Sequence, residues 1–100
     1  MPAVSRVGDT STGHGCFPPT TMFKSPITKT YVNGIIPGAK DSECQFYEHA
    51  CGVTTHPVAE RTPTQGTKKT FIEGYSVARI ADQLACGDII AEGSPNTFME

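Results

Sequence analysis

The feature of this 100-residue sequence that most constrains its fold is an internal triplication. One element reads Arg6-Val7-Gly8-Asp9, recurs as Arg79-Ile80-Ala81-Asp82, and has a degenerate middle copy in Gly38-Ala39-Lys40-Asp41. A second element follows each of these at a distance and carries an aromatic strand residue. Its three copies are Thr30-Tyr31-Val32-Asn33-Gly34, Thr70-Phe71-Ile72-Glu73-Gly74 and Asn96-Thr97-Phe98-Met99-Glu100. Three similar units in one chain predict a pseudo-threefold molecule.

The local pattern favours short strands. Ten glycines and eight prolines interrupt the chain at close intervals, and short apolar alternations such as Lys29-Thr30-Tyr31-Val32 lie between them. The stretch 77–90 lacks proline and could carry a helical turn or two, but Gly87 interrupts it. We therefore predict a single all-β domain over residues 1–100, with little helix, built from three β-hairpin repeats.

The core of such a domain is thin, because only 19 of the 100 residues are Leu, Ile, Val or Phe. Small domains with thin cores usually need a metal, disulfides or an oligomeric partner to stabilise them. Residues 1–12 contain no apolar run typical of a signal peptide, which predicts synthesis in a reducing cytosol. That compartment disfavours disulfides and favours metal ligation by cysteine.

Composition also excludes several function classes. Eight Lys and Arg against ten Asp and Glu give a net charge of −2, which offers no electrostatic footprint for nucleic acid. No stretch approaches the roughly 18 apolar residues of a membrane span. Motifs of zinc proteases, serine hydrolases and phosphate-binding loops are missing from the sequence, so we expect no enzyme. Asp9, Asp41 and Asp82 are interpreted as turn carboxylates that accept backbone N–H bonds.

Ligand-competent residues follow the repeats. His14, His49 and Cys86 each come shortly after the Asp of their repeat, and His56 follows His49 by seven residues. Three units that converge on an axis bring such groups together, and three His with one thiolate make a closed tetrahedral zinc set. We therefore predict a structural metal at His14, His49, His56 and Cys86, with zinc favoured over iron by the thiolate.

Three further cysteines leave alternatives open. Cys16, Cys44 and Cys51 can replace one ligand, pair with each other, or lie buried as small apolar residues. The spacing Cys44-x4-His49-x-Cys51-x4-His56 also suits a local four-ligand zinc finger.

The sequence resembles the PAAR-repeat proteins, over nearly its whole length. The resemblance lies in Met1-Pro2-Ala3-Val4-Ser5-Arg6-Val7-Gly8-Asp9, in Gly13-His14-Gly15-Cys16-Phe17-Pro18-Pro19, and in Ser76-Val77-Ala78-Arg79-Ile80-Ala81-Asp82. It continues through Ala85-Cys86-Gly87 to Glu92-Gly93-Ser94-Pro95-Asn96. No copy reads Pro-Ala-Ala-Arg in full, and the middle copy has Lys40 where arginine is expected.

The resemblance implies a small conical β-structure with a buried zinc near its apex, held by three His and one Cys. The matching positions here are His14, His49, His56 and Cys86. It implies a tip that caps the trimeric β-helical spike of a contractile phage tail or type VI secretion system, one tip per trimer. The expected location is the tail baseplate of a virion, or the bacterial cytoplasm before export. The sequence ends at Glu100, soon after the third aromatic strand, so no toxic extension is expected.

A different class of protein also fits part of the pattern. A small cytosolic zinc module that binds a partner through an exposed β edge accounts for the His and Cys residues. It does not account for the triplication.

Overall fold

Three short backbone segments, 3–7, 36–40 and 76–80, pair with one another in a closed ring. The computed structural model describes residues 2–100, and in it each segment makes an antiparallel bridge to both of the others: Arg6 with Pro37, Ala39 with Val77, and Val4 with Arg79. The inner hydrogen bonds run from Ser5 N to Ala78 O, from Ala78 N to Gly38 O, and from Gly38 N to Ser5 O, at 2.9–3.0 Å. The outer ones run from Val7 N to Ile36 O, from Lys40 N to Ser76 O, and from Ile80 N to Ala3 O, at 2.9 Å. The chain therefore has a pseudo-threefold axis.

This ring corrects the alignment of the middle repeat by one residue. It makes Ala39 equivalent to Arg6 and Arg79, so that Ser42, and not Asp41, falls at the position of Asp9 and Asp82. The sequence match through Lys40 was misleading because the middle copy does not form the same turn. Its Ala39 N–H donates instead to the sulfur of Cys44, at 3.4 Å.

The first and third repeats form the same Arg–Asp turn. The backbone N–H of Arg6 donates to Asp9 Oδ2 at 2.8 Å, and its guanidinium pairs with the same carboxylate. Arg79 and Asp82 repeat both contacts at 2.8 and 3.1 Å. In the middle repeat, Asp41 accepts the N–H of Glu43. The three aspartates are therefore turn carboxylates, as predicted.

The regular elements are short strands. The strands are β1 (Met22–Lys24), β2 (Gln45–Phe46), β3 (His49–Cys51), β4 (Thr54–His56), β5 (Phe71–Ile72) and β6 (Tyr75–Ser76), with one 3₁₀ turn at Val58–Glu60. They form three antiparallel pairs, β1 with β2, β3 with β4, and β5 with β6. The described residues contain no α-helix, including the stretch 77–90. The predicted all-β fold with little helix is confirmed. Within residues 2–100, no helix has the length and apolarity needed to cross a membrane.

The aromatic strands form three equivalent hairpins at one end of the ring. Two of them turn through Asn33-Gly34 and Glu73-Gly74, and all four of these residues have positive φ, from 53° to 84°. Positive φ at both central residues is the signature of a type I′ hairpin turn. The third hairpin pairs residues from the two ends of the described range: Phe98 bridges Ala3, and Met99 N donates to Pro2 O.

Two apolar clusters lie along the molecule. The first packs Val4, Val32 and Val77 together, with Ile72 and Met99 against them, just above the hairpins. The second cluster lies next to the first, because Ala78 in the second cluster follows Val77 in the first along the chain. Its buried members are Met22, Cys44, Phe46, Ala78, Leu84 and Ile90. The molecule is elongated, 38 Å by 23 Å by 22 Å, and its buried apolar residues form two small clusters and not one central core.

A buried ion pair covers the second cluster. Arg61 and Asp88 are both fully buried, with Arg61 Nη1 2.6 Å from Asp88 Oδ2. The guanidinium also donates to Ser11, to Thr20 and to the carbonyl of Tyr47. Every side of this buried cation therefore has an acceptor, as a buried charge requires.

The carboxylate of the pair stays ionised. Burial alone would raise the pKa of Asp88, but hydrogen bonds from Ser11, Arg61, Ile89 and Thr12 outweigh it and lower the pKa to about 2. Asp88 is therefore a charged acceptor at neutral pH and depends on its arginine partner.

We expect Arg61→Met to destabilise the domain by about 3–5 kcal/mol, because the variant leaves the Asp88 carboxylate buried without its cation. The free energy of unfolding from urea titration measures this loss. The double variant Arg61→Met/Asp88→Asn, which removes both charges, should recover much of the stability. An Arg61→Met variant that is as stable as the wild type would contradict this account of the buried ion pair.

Candidate metal centre

Two of the three histidines are cross-strand partners in one hairpin. His49 on β3 lies opposite His56 on β4, and Gly52, with φ of 62°, allows the tight turn between these strands. The facing positions bring His49 Nε2 to 2.9 Å from His56 Nδ1. Val53 is fully exposed at the tip of this hairpin.

The third histidine is held by a small turn of its own. His14 and Phe17 exchange backbone hydrogen bonds at 2.8 and 3.1 Å across Gly15-Cys16, and Gly15 has a φ of 55°. Gly13, with φ of 74°, lies so close to Phe17 that a Cβ there would be 2.6 Å from its carbonyl oxygen. The glycines on both sides of His14 are therefore required by the backbone.

The three imidazoles form an equilateral group. Each pair of ring centroids is 5.0 Å apart. One ligand nitrogen from each of His14, His49 and His56 lies within 4.8 Å of the other two. These residues come from two chain segments, the turn that holds His14 and the β3–β4 hairpin, so the fold itself brings them together. The group could hold a metal ion.

The hydrogen bonds of His49 prepare one nitrogen for a metal. Its Nδ1 lies 2.9 Å from the carbonyl oxygen of Pro18, which can only accept, so Nδ1 carries the proton. Nε2 then presents its lone pair to the group, the arrangement that backbone carbonyls commonly impose on metal-binding histidines. Burial lowers the pKa of His49, and the hydrogen bond to Pro18 opposes this effect only in part. The lowered pKa keeps the ring neutral to a lower pH.

His14 has an unsatisfied nitrogen. Its Nδ1 is buried without a hydrogen-bond partner, and the nearest carboxylate oxygen, Asp88 Oδ1, is 3.8 Å away. Buried polar atoms in proteins are almost always paired. An unpaired imidazole nitrogen beside two other imidazoles fits a metal ligand.

Phe17 covers the group, and sequence reasoning missed this role. Its ring stacks on His56 with a centroid distance of 4.0 Å and an angle of 12°, and it also contacts the rings of His14 and His49. An apolar cover limits water access and strengthens electrostatic interactions inside a metal site. The signal in the sequence was its place three residues after His14, at the end of the same turn.

The structure corrects the prediction for one pair of cysteines. Cys16 and Cys51 form a disulfide, with Cα atoms 5.5 Å apart, although a reducing compartment was expected to disfavour one. The bond forms because β3 places Cys51 against the turn that carries Cys16. It closes a loop with a sequence separation of 35, which is worth roughly 3–4 kcal/mol in chain entropy.

The local zinc finger is also ruled out in this structure. Cys51 is in the disulfide, and Cys44 is fully buried in the second apolar cluster next to the sulfur of Met22. Burial raises the pKa of Cys44 to about 12, so it is a protonated thiol. Cys44 therefore behaves as a small apolar residue, one of the alternatives that the sequence left open.

Cys86, the predicted fourth ligand, lies outside the histidine group. Its sulfur accepts a hydrogen bond from Arg61 Nη1 at 3.4 Å. The same Nη1 pairs with Asp88, whose other oxygen faces His14. Cys86 is therefore linked to the histidines through this ion pair, and its ligation of the metal stays a prediction.

No protein-family model matches the sequence, and no curated protein is similar to it at a significant level. The function must therefore be argued from the geometry.

We expect purified wild-type protein to contain one metal ion per chain, and His49→Ala to lose it, because His49 contributes the nitrogen that is oriented by Pro18. Elemental analysis measures the content. The matched control is Glu48→Gln, which changes the exposed neighbouring residue and should keep the metal. Retention of a full equivalent of metal by His49→Ala would exclude the histidine group as the site.

Proposed function

We propose that this protein is a metal-stabilised tip that caps the trimeric β-helical spike of a contractile tail or type VI secretion-like system. The observation that carries the proposal is the pseudo-threefold base with an exposed aromatic residue on each of its three hairpins. A single chain with three equivalent docking edges suits a partner with true threefold symmetry, because each spike chain then meets the same surface.

Strand alternation places the aromatic residues outward. Successive side chains on a strand point to opposite faces. Val32, Ile72 and Met99 pack with the first apolar cluster, so their preceding neighbours face away from it. Those neighbours, Tyr31, Phe71 and Phe98, are 61%, 58% and 48% exposed. Exposed aromatic residues on short hairpins are typical anchors for association through sheet edges.

Each hairpin is also tied to the next one around the base. The Glu73 carboxylate accepts the N–H groups of Thr28 and Lys29, at the start of the first hairpin. Asn33 Nδ2 donates to Asn96 Oδ1 at 2.8 Å, at the start of the third. Lys68 N donates to Glu100 O and closes the circle. A base braced in this way can receive a partner with little rearrangement, which favours tight binding.

In this proposal the metal stiffens a part of the molecule away from the base hairpins. Contacts lead from the base hairpins through the two apolar clusters to Arg61 and Asp88, and from Asp88 to the histidine group. We propose zinc as the ion, held by His14, His49 and His56 with Cys86 as the fourth ligand. Four protein ligands define a structural site, and its binding energy stabilises a fold with a thin core. A stiff apex then suits a point that is driven through a cell envelope.

We expect the protein to bind a trimeric β-helical spike encoded in the same genome at one chain per three spike chains, as measured by native mass spectrometry. Phe71→Asp should weaken this binding at least tenfold, because it places a charge in an apolar joint. The matched control is Val53→Asp, which puts the same charge at the exposed tip of the β3–β4 hairpin and should bind normally. Binding of three chains per trimer, or equal loss in both variants, would overturn the proposal.

The fourth ligand is tested with cobalt(II) in place of zinc. We expect the wild-type complex to show thiolate-to-cobalt charge transfer in the near ultraviolet, and Cys86→Ser to lose this band and bind cobalt more weakly. Cys44→Ser is the comparison, since it changes a buried thiol outside the site. An unchanged spectrum in Cys86→Ser would remove Cys86 from the ligand set and leave the base interaction unaffected.

A further inference from the structure

The disulfide joins the two chain segments that carry the histidine group. Cys16 lies two residues after His14, in the turn that holds it. Cys51 lies two residues after His49 on β3, and therefore on the same face of that strand. The disulfide thus joins the two segments, and each of its cysteines lies two residues after a histidine of the group.

Other connections between these two segments are few. Within 13–18 and 49–56, all of whose residues the structure describes, one hydrogen bond crosses between them, from His49 Nδ1 to Pro18 O. The remaining contacts are between rings: Phe17 packs on His49 and His56, and His14 packs against the same two rings. The tip of the β3–β4 hairpin is exposed over Gly52, Val53, Thr54 and Thr55. The covalent bond is therefore a direct restraint between the two segments, added to the hydrogen bonds that join Tyr47 to Thr20 and Thr21 just outside them.

We propose that the Cys16–Cys51 disulfide is a redox latch that sets the metal affinity of the histidine group. In the oxidised chain the three imidazoles are held together before the ion arrives, so less ordering accompanies binding. In the reduced chain the His14 turn and the β3–β4 hairpin move apart more freely, and the ion must bring them together. The proposal rests on the metal part of the proposed function and is independent of docking at the base.

The chemistry is thiol–disulfide exchange with a small cellular thiol such as glutathione. Two glutathione thiols lose two electrons and two protons and form one glutathione disulfide. The S–S bond between Cys16 and Cys51 breaks, and each sulfur gains one electron and one proton. Reversal by glutathione disulfide restores the latch.

Thermodynamic linkage makes the effect reciprocal. If the disulfide raises the affinity for the metal by some factor, the bound metal must favour the disulfide over the dithiol by the same factor. A chain that is loaded with metal is then harder to reduce, and a chain that has been reduced loses metal more readily.

The test is a cobalt(II) titration of the full chain, with affinity measured by competition with a chelator. Oxidised wild type, wild type reduced with a phosphine, and Cys16→Ser/Cys51→Ser are compared. Thiol titration in denaturant establishes the starting states, with two free thiols in the oxidised chain, from Cys44 and Cys86, and four after reduction. We expect reduction to weaken cobalt binding at least tenfold. The double variant should match the reduced wild type and should not respond to the phosphine.

A second measurement uses the reciprocity. The glutathione ratio at which half of the disulfide is reduced is determined with and without cobalt, at a free metal concentration fixed by a chelator. The metal should shift this equilibrium toward the disulfide, and in saturating cobalt the shift should equal the ratio of the two affinities.

Several results would overturn the latch. Equal affinities in the oxidised and reduced chains would show that the disulfide does not position the ligands. Tighter binding after reduction would assign the two sulfurs as ligands. Four free thiols after treatment with glutathione disulfide would show that the bond does not form. Failure of the oxidised chain to bind cobalt would refute the metal site itself. Docking of the base hairpins on a spike is tested independently, by native mass spectrometry.

Discussion

The closed ring of backbone hydrogen bonds among segments 3–7, 36–40 and 76–80 is the interaction on which the rest of the structure depends. Each segment donates to and accepts from both of the others, so removing any one leaves unpaired buried groups on the remaining two. The ring fixes the three hairpins on one side. Contacts also lead from the second apolar cluster to the Arg61–Asp88 pair and from Asp88 to the histidine group. Non-local pairing of this kind gives a chain with few large apolar residues a defined shape.

Much of this arrangement was predictable from the sequence, because the repeats carry physical signals. An aromatic residue before Asn-Gly or Glu-Gly predicts a hairpin, and both hairpins form. The sequence placed His14 and His49 shortly after the turns of the first and middle repeats, with His56 seven residues after His49, and the structure brings these three together. The closed third hairpin was less evident, since its two strands lie at opposite ends of the sequence.

Other features depend on tertiary contacts that no local pattern encodes. The register of the middle repeat follows from the ring, in which Ala39 takes the place of an arginine. The Cys16–Cys51 pairing follows from the position of β3 against the His14 turn, whereas the sequence had favoured metal ligation over disulfides for the cysteines. Arg61 is a third case: a lone arginine in a loop gives no sign in the sequence that it will be the largest fully buried side chain.

The split hairpin at the base makes the chain a circular array that has been opened at one position. Pro2 and Met99 already pair as Ile35 and Val32 do. A two-residue turn of the Asn-Gly type could therefore join the ends. New ends placed at Gly34 or Gly74 would then interrupt an equivalent turn and would leave the paired strands intact. Such a permutation changes which repeat comes first in the sequence and keeps their cyclic order in the ring. The asymmetry of the molecule resides in the layers above, where each repeat contributes something different.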